Sequence, residues 1–225
     1  MNYVERLKTV IGENNLNKLN NSKVLIVGLG GVGGSSFETL VRNYIGTIYV
    51  CDFDIFEESN LNRQTLSNIN NIGKYKTDEA YNYAKIINPN INVIKINERL
   101  TKDNINDLLP VDIDYIIDAC DDTLVKIELI KFAINNKIEI ISSMGTGNKI
   151  KPELLEITNI WKTSYDPLAK KIRTLLKKEH INYKLPVVSS KEEVTVNSNI
   201  IGSCSIVPNT AGILLASYVI NKIID

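Results

Sequence analysis

The 225-residue sequence predicts an α/β protein built on a doubly wound, mostly parallel sheet with antiparallel additions towards its C-terminal end. Three observations carry that expectation. Five strand-like segments alternate with helix-like ones over the first 143 residues, joined by short connections. The early strand segments are unbroken apolar runs, as strands are when helices cover both faces of a parallel sheet. Glycines cluster in Gly28-Leu29-Gly30-Gly31-Val32-Gly33, between the first strand and the following helix, where a Rossmann-like fold turns its chain. The crossovers of such a sheet are right-handed.

In chain order, residues 3–20 place Val4, Leu7, Val10, Ile11, Leu16 and Leu19 at a loose helical spacing interrupted by Gly12. A strand follows at 23–28, and a helix from about Gly33 to Tyr44. TIYVCDFD is the second strand, ending on Asp52 and Asp54. The helix from Lys76 to Ile87 is stopped by Asn88-Pro89. NVIKI at 92–96, a short helix at 103–109, YIIDA at 115–119, a helix at 123–135 and KIEIISS at 137–143 complete the alternation. Beyond Ser143 the rhythm changes: LLEIT at 154–158 and LPVVS at 185–189 read as further strands around a helix from Pro167 to Glu179. An apolar helix at 209–223 closes the chain and is expected to dock on the sheet. The expectation is one domain over 1–225, with a helical segment at 1–20, a nucleotide-binding core at 21–143 and a substrate-binding extension at 144–225.

Composition narrows the function classes. Twenty-six Lys and Arg balance 26 Asp and Glu, which excludes a strongly cationic protein but not a local basic patch. The three cysteines, Cys51, Cys120 and Cys204, form no CxxC pair and offer no four-cysteine zinc site. His180 is the only histidine. The N-terminal segment carries Glu5 and Glu13 and no signal-peptide core, and the apolar runs fall short of the roughly 20 residues of a membrane span. A cytoplasmic protein with no integral membrane association is expected.

The glycine motif points to a nucleotide. Gly28 permits the tight turn, Gly30 and Gly31 let the backbone approach a phosphate, and Gly33 lets helix and strand pack closely, while the helix N-terminus offers unpaired N–H donors. Asp52, about twenty residues on, stands where a carboxylate receives ribose hydroxyls, and Asp54 either shares that duty or caps the next turn. An NAD-dependent dehydrogenase has the same features. The two readings part at Glu58-Ser59-Asn60-Leu61-Asn62-Arg63-Gln64 and at Lys74-Tyr75-Lys76. Hydride transfer has little use for an arginine and a lysine beside the phosphates, whereas attack on an α-phosphate builds charge that such donors stabilise. In DACDD, at the carboxyl edge of the sheet, one aspartate suits Mg²⁺ and Asp121 or Asp122 suits capping the next helix. Asp121 is the metal candidate.

GLGGVGG, CDFD, ESNLNRQ, GKYKTD and DACDD, in this order and spacing, resemble the ubiquitin-activating-enzyme-like adenylating superfamily. That resemblance implies an enzyme that activates a carboxylate with ATP and Mg²⁺ to an acyl-adenylate. It implies ribose binding by Asp52, phosphate contacts by Asn60, Arg63 and Gln64, a catalytic lysine at Lys76 and a metal-binding carboxylate at Asp121. Arg6 aligns with an arginine that such enzymes deliver across a homodimer interface. The absence of CxxC pairs, together with SMGTGNKIKPELLEITNIWKTSYDPLAKKIRTLLKK at 143–178 and LPVVSSKE at 185–192, resembles the tRNA threonylcarbamoyladenosine dehydratase branch over almost the whole chain. This branch implies ATP-dependent closure of N6-threonylcarbamoyladenosine at position 37 of tRNA to a cyclic hydantoin, with AMP and pyrophosphate released. The alternative is activation of the C-terminus of a ubiquitin-like or sulfur-carrier protein, and a sulfur-transfer partner remains compatible with either.

Residues 145–184 hold nine Lys or Arg against four Asp or Glu. Lys170, Lys171, Arg173, Lys177 and Lys178 line the solvent side of the helix after Pro167, whose Leu168, Ile172, Leu175 and Leu176 form its apolar stripe. A solvated amphipathic helix has the same pattern. Given the resemblance, these residues with Lys162 are the expected phosphate contacts for tRNA, and Trp161, Tyr165 and Tyr183 are candidates for stacking on bases.

Overall fold

The computed structural model describes residues 3–194 and 201–225. Seven strands form one sheet: β1 (Lys23–Val27), β2 (Thr47–Cys51), β3 (Asn92–Ile96), β4 (Tyr115–Asp118), β5 (Glu139–Ser143), β6 (Leu155–Asn159) and β7 (Pro186–Ser190). Their order is β3-β2-β1-β4-β5-β7-β6, so the chain winds outward from β1 to one edge and then from β4 to the other. The reversal falls between β1 and β4, and the carboxyl ends of strands at such a switch point are where ligands bind in open α/β sheets. Of the two late strands, β7 pairs parallel with β5, and only β6 runs antiparallel, on the outer edge of β7.

Alternation along each strand sends residues to two cores. Val24 and Ile26 of β1 face one side with Ile48, Val50, Ile117 and Ile141, covered by α2 (Glu13–Asn21), α3 (Gly31–Arg42), α4 (Lys76–Ile87) and α8 (Ile206–Ile224). Leu25 and Val27 face the other with Ile116, Ile140 and Val187, under α5 (Ile105–Leu108), α6 (Thr123–Asn136) and α7 (Pro167–Lys178). Helices on both faces explain why the sequence presents β1 as an unbroken apolar run.

The N-terminal helical segment is two helices. Gly12, at φ 82°, ends α1 (Glu5–Ile11) and begins α2. Tyr3 packs edge-on against Tyr44 just past the C-terminal end of α3, the end away from the glycine turn. The apolar closing helix is long enough to span a membrane by length and composition, yet it buries Val207, Pro208, Ala211, Gly212, Leu215, Ala216 and Val219 within the protein. Its contact with α3 is close enough that a Cβ on Gly212 would collide with the Val32 carbonyl oxygen. Ser36 Oγ donates to the Gly212 carbonyl at 2.9 Å and Ser35 Oγ to that of Asn209 at 2.9 Å. α8 thus clamps the first turns of the helix that follows the glycine motif.

Candidate active site

A cavity of about 890 Å³ opens at the carboxyl ends of β1, β2, β4 and β5. Five helices begin around it: Val32 of α3, Lys76 of α4, Val125 of α6, Leu168 of α7 and Pro208 of α8 all line it. Their N-terminal N–H groups and dipoles make the cavity favourable for an anion. Aspartates cap two of these helices. Asp122 Oδ1 accepts from Leu124 N at 2.8 Å, and Asp166 Oδ1 from Ala169 N at 2.9 Å. α3, α4 and α8 have no side-chain cap; the first N–H of α4, that of Lys76, donates to the Asp54 carbonyl at 3.0 Å, whereas α3 and α8 leave their first N–H groups available to a ligand.

Local geometry explains the glycines. Gly28 sits at φ 89°, where an L side chain is strained, and a Cβ there would lie 2.8 Å from the Ala119 carbonyl oxygen. A Cβ on Gly33 would fall within van der Waals contact of the Gly28 carbonyl oxygen, so α3 can press against the turn only without one. Gly30 and Gly31 line the cavity directly.

Asp52 is buried at the end of β2 and ties this turn down. Its Oδ2 accepts from Leu29 N at 2.6 Å and its Oδ1 from Asp54 N at 2.8 Å. Burial pushes its carboxyl above the usual range, against the pull of Lys76 and these two N–H groups. A ribose diol needs the ionised form to accept both of its O–H groups. ATP affinity is therefore expected to weaken as pH falls through a carboxyl range set higher than the ordinary value of about 4. Because the folded-state pKa is raised, protonation of Asp52 favours the folded chain, so this loss of binding precedes any acid unfolding through this group. Calorimetric ATP titrations and melting curves over the same pH series separate the two effects.

The other polar residues converge from separate elements. Lys76 has a buried side chain, and its Nζ meets Asp54 Oδ2 at 3.1 Å while its backbone N–H donates to the Asp54 carbonyl. Asp54 thereby aims the lysine. Asn60 ends a 3₁₀ turn in which its side chain and that of Glu57 cap each other's backbone. Arg63 NH1 donates to the Ser59 carbonyl at 2.7 Å and to Asn62 Oδ1 at 2.9 Å, which leaves its other guanidinium nitrogens without partners among the described residues. Gln64 is buried against the cavity with its Oε1 unpartnered.

The aspartates of DACDD have separate tasks. Asp118, fully buried, pairs with Lys126 Nζ at 2.9 Å and accepts from Ser142 Oγ and Cys120. Asp122 caps α6. Asp121 is exposed at the cavity and makes no hydrogen bond or ion pair among the described residues. No cluster of three or more His, Cys, Asp or Glu suited to a metal exists among those residues. A single free carboxylate fits Mg²⁺, which keeps much of its hydration and takes one or two protein carboxylates beside substrate phosphates.

Arg6 lies elsewhere. It is exposed on α1 and does not line the cavity of its own chain. Lys162, Lys170, Lys171, Lys177 and Lys178 are exposed on and beside α7, but Arg173 is not free: its NH1 donates to the Thr163 carbonyl at 3.2 Å and also to Thr163 Oγ1. It is thus a brace for the turn entering α7. Trp161 and Tyr183 pack against the core beneath α7, with Trp161 Nε1 donating to the Tyr183 carbonyl, so of the three aromatic candidates Tyr165 alone is exposed. The buried ion pairs of Lys126 and of Lys149 are absent from the sequence reading. So are Phe53, Glu98, Arg99 and Leu100, which extend the cavity beyond Asp52, with Arg99 stacked over Phe53 at 5.1 Å. The rule that placed Asp52 at the end of β2 would have reached Glu98 and Arg99 just beyond the end of β3.

A Rossmann-like sheet whose switch-point cavity is lined by a glycine turn, an aspartate at the end of β2, an arginine and a lysine has the features of a nucleotide-dependent adenylating class. This chain belongs to the ThiF family, whose profile matches residues 3–223. Within it, the chain is 36% identical to the tRNA threonylcarbamoyladenosine dehydratase of Bacillus subtilis over 196 residues, 87% of this chain and 77% of that protein. The Haemophilus influenzae dehydratase is 35% identical over 73% of this chain, which spans 63% of that relative. The crystal structure of the Escherichia coli enzyme, TcdA, in complex with ATP superposes with a TM-score of 0.91 at 30% identity, over 96% of this chain and 91% of that one.

Proposed function

We propose that this chain is an ATP-dependent tRNA threonylcarbamoyladenosine dehydratase, which closes N6-threonylcarbamoyladenosine at position 37 of tRNA to its cyclic hydantoin. The observation that carries the reading is the convergence of Asp52, Arg63, Gln64, Lys76 and Asp121 on one cavity in a chain so similar to those dehydratases. Asp52 would hold the ribose, and the uncapped start of α3 would hold the phosphates. The threonyl carboxylate attacks the α-phosphorus, and the bond to pyrophosphate breaks. Arg63 and Lys76 offset the charge that develops on the phosphoryl oxygens. Mg²⁺, held by Asp121, would supply charge neutralisation on the polyphosphate. A carbamoyl nitrogen then attacks the adenylated carbonyl, its proton passes to solvent, and AMP departs with the former carboxylate oxygen. The sum is loss of water driven by ATP cleavage.

Attacker and electrophile share one molecule, so ring closure needs no enzyme nucleophile. The cysteines fit that route. Burial pushes the Cys51 thiol up to about 12 and the Cys120 thiol well above its ordinary value, and the Cys204 thiol donates to the Lys149 carbonyl at 3.5 Å. The reading extends to a cytoplasmic homodimer, with Arg6 reaching the partner's phosphates. The test is nucleoside analysis of tRNA incubated with the protein and ATP-Mg²⁺, read as cyclic against open nucleoside alongside AMP. Cyclic product is expected. AMP released only when a carrier protein is added would overturn the reading.

The lysines of α7 would take the tRNA backbone. Changing Lys170, Lys171 and Lys177 together to Glu is expected to weaken tRNA binding at least tenfold and flatten its salt dependence, while ATP binding stays within twofold. Arg173 is left alone because it holds the turn before α7. Filter binding across a salt series, paired with ATP calorimetry, reads both effects.

A further inference from the structure

The half of the cavity away from Asp52 is walled by Gly145, Thr146, Gly147, Leu168 and Ser203, with Lys149 behind them. Lys149 Nζ, almost fully buried, donates to the Gly145 carbonyl at 2.7 Å and meets Asp166 Oδ2 at 3.2 Å, and the Asp166 side chain is itself wholly buried. Asp166 caps α7 with its other oxygen, at 2.9 Å from Ala169 N. A Cβ on Gly145 would stand 3.4 Å from either Asp166 oxygen, so the loop lies flat against the start of the helix. The same loop meets the segment before α8: Asn148 N donates to the Gly202 carbonyl at 2.8 Å, and the Cys204 thiol donates to the Lys149 carbonyl. The Lys149–Asp166 ion pair thus joins the cavity loop to the first turn of the lysine-bearing helix, and hydrogen bonds of the same loop tie it to the entry of α8.

Two apolar side chains of similar volume would serve the fold as well, because desolvating two charges costs about as much as their attraction returns. What such a pair supplies is a fixed geometry, since Nζ must meet a carbonyl and a carboxylate at once. We infer that Lys149 and Asp166 are positioning residues: they hold the 145–148 loop in register with α7, so that a tRNA seated on α7 presents its modified base to the acceptor half of the cavity. This inference rests on the dehydratase reading above and deepens it by dividing the cavity into an ATP half and a tRNA-aligned half.

The division predicts a split that a merely structural role would not produce. In Lys149→Met/Asp166→Asn, both charges are gone and the Asn side-chain oxygen still caps α7. This variant is expected to bind ATP-Mg²⁺ within twofold of wild type and to bind tRNA on α7 within threefold. Its kcat for cyclisation should fall at least tenfold. Asp166→Asn alone keeps the cap, leaves the Lys149 charge unpaired and should fall further. If the double variant does not fold, Lys149→Arg, which keeps the charge pair but shifts the donor against the Gly145 carbonyl, carries the same comparison. A folded variant with wild-type kcat overturns the inference, and so does parallel loss of ATP affinity and kcat. Absence of cyclic nucleoside with the wild-type protein overturns the dehydratase reading instead, so the two failures are distinguishable.

Discussion

Arg63→Ala and Lys76→Ala are each expected to slow cyclisation by roughly 10²–10³, since a donor aimed at developing oxyanion charge contributes on the order of 3–4 kcal/mol. The two should differ in how they fail. Arg63 spends one nitrogen on the turn at 59–62 and keeps the rest of its guanidinium for the ligand, so its loss should raise the KM for ATP as well as lower kcat. Lys76 is buried and already aimed by Asp54, which suits a group whose contribution grows in the transition state. Its loss should appear mainly in kcat. Steady-state measurement of AMP release against ATP concentration for each variant gives both parameters. Full activity in Arg63→Ala would remove the cation on which the phosphate assignment rests.

Gly33→Ala should abolish nucleotide binding and destabilise the fold on the order of 3 kcal/mol, near the upper end of what overpacking costs. The added methyl group meets the Gly28 carbonyl and lies 3.2 Å from the Ala119 Cβ, and neither backbone segment can retreat without dismantling the turn. For a chain of this length that corresponds to a fall in Tm of roughly 6–12 °C. The neighbouring Gly34→Ala is the control. Its methyl would find Leu66 and Thr65 side-chain atoms at 3.6 Å, ordinary contact, and replacing a helical glycine should leave stability unchanged or raise it by up to about 1 kcal/mol. Thermal melts with and without ATP distinguish the two positions. Equal behaviour of the two variants would contradict the packing argument.

What the sequence made legible was what local pattern dictates. The inner strands appear as apolar runs because both faces of the sheet are covered, and Asp52 and the glycines stand out because a strand–turn–helix unit fixes their spacing. Elements set by reciprocal side-chain contacts were not legible. The 3₁₀ turns at 58–60 and 69–71 are held by capping boxes between Glu57 and Asn60 and between Asn68 and Asn71, in segments without a helical or strand period. Gly12 marked an interruption, but only its positive φ makes that a break between two helices. Lys126 and Lys149 gave no local signal, since a lysine is buried only when a partner elsewhere in the chain meets it, here Asp118 and Asp166. Arg173 sits among the lysines of α7 by helical spacing, and its capture by Thr163 is a tertiary fact. The run of DACDD aspartates could not be apportioned from order alone, because burial, capping and exposure divide them one to each.

The grip of α8 on α3 sets an order of events during synthesis. Gly31 and Ser36 are made early, whereas their neighbours Pro208 and Gly212 come about 175 residues later, the separation of the Ser36–Gly212 and Ser35–Asn209 bonds. At roughly 5–20 residues per second, the glycine turn waits on the order of ten to thirty seconds for the helix that clamps it. Through that interval the apolar flank of α3 that α8 will cover is open to solvent and to other nascent chains. The nascent β1–α3 unit therefore gains the support of α8 only after the rest of the sheet has been made, and a ribosome paused before residue 206 holds a chain whose glycine turn is tied to Asp52 but not yet clamped from the side of α8.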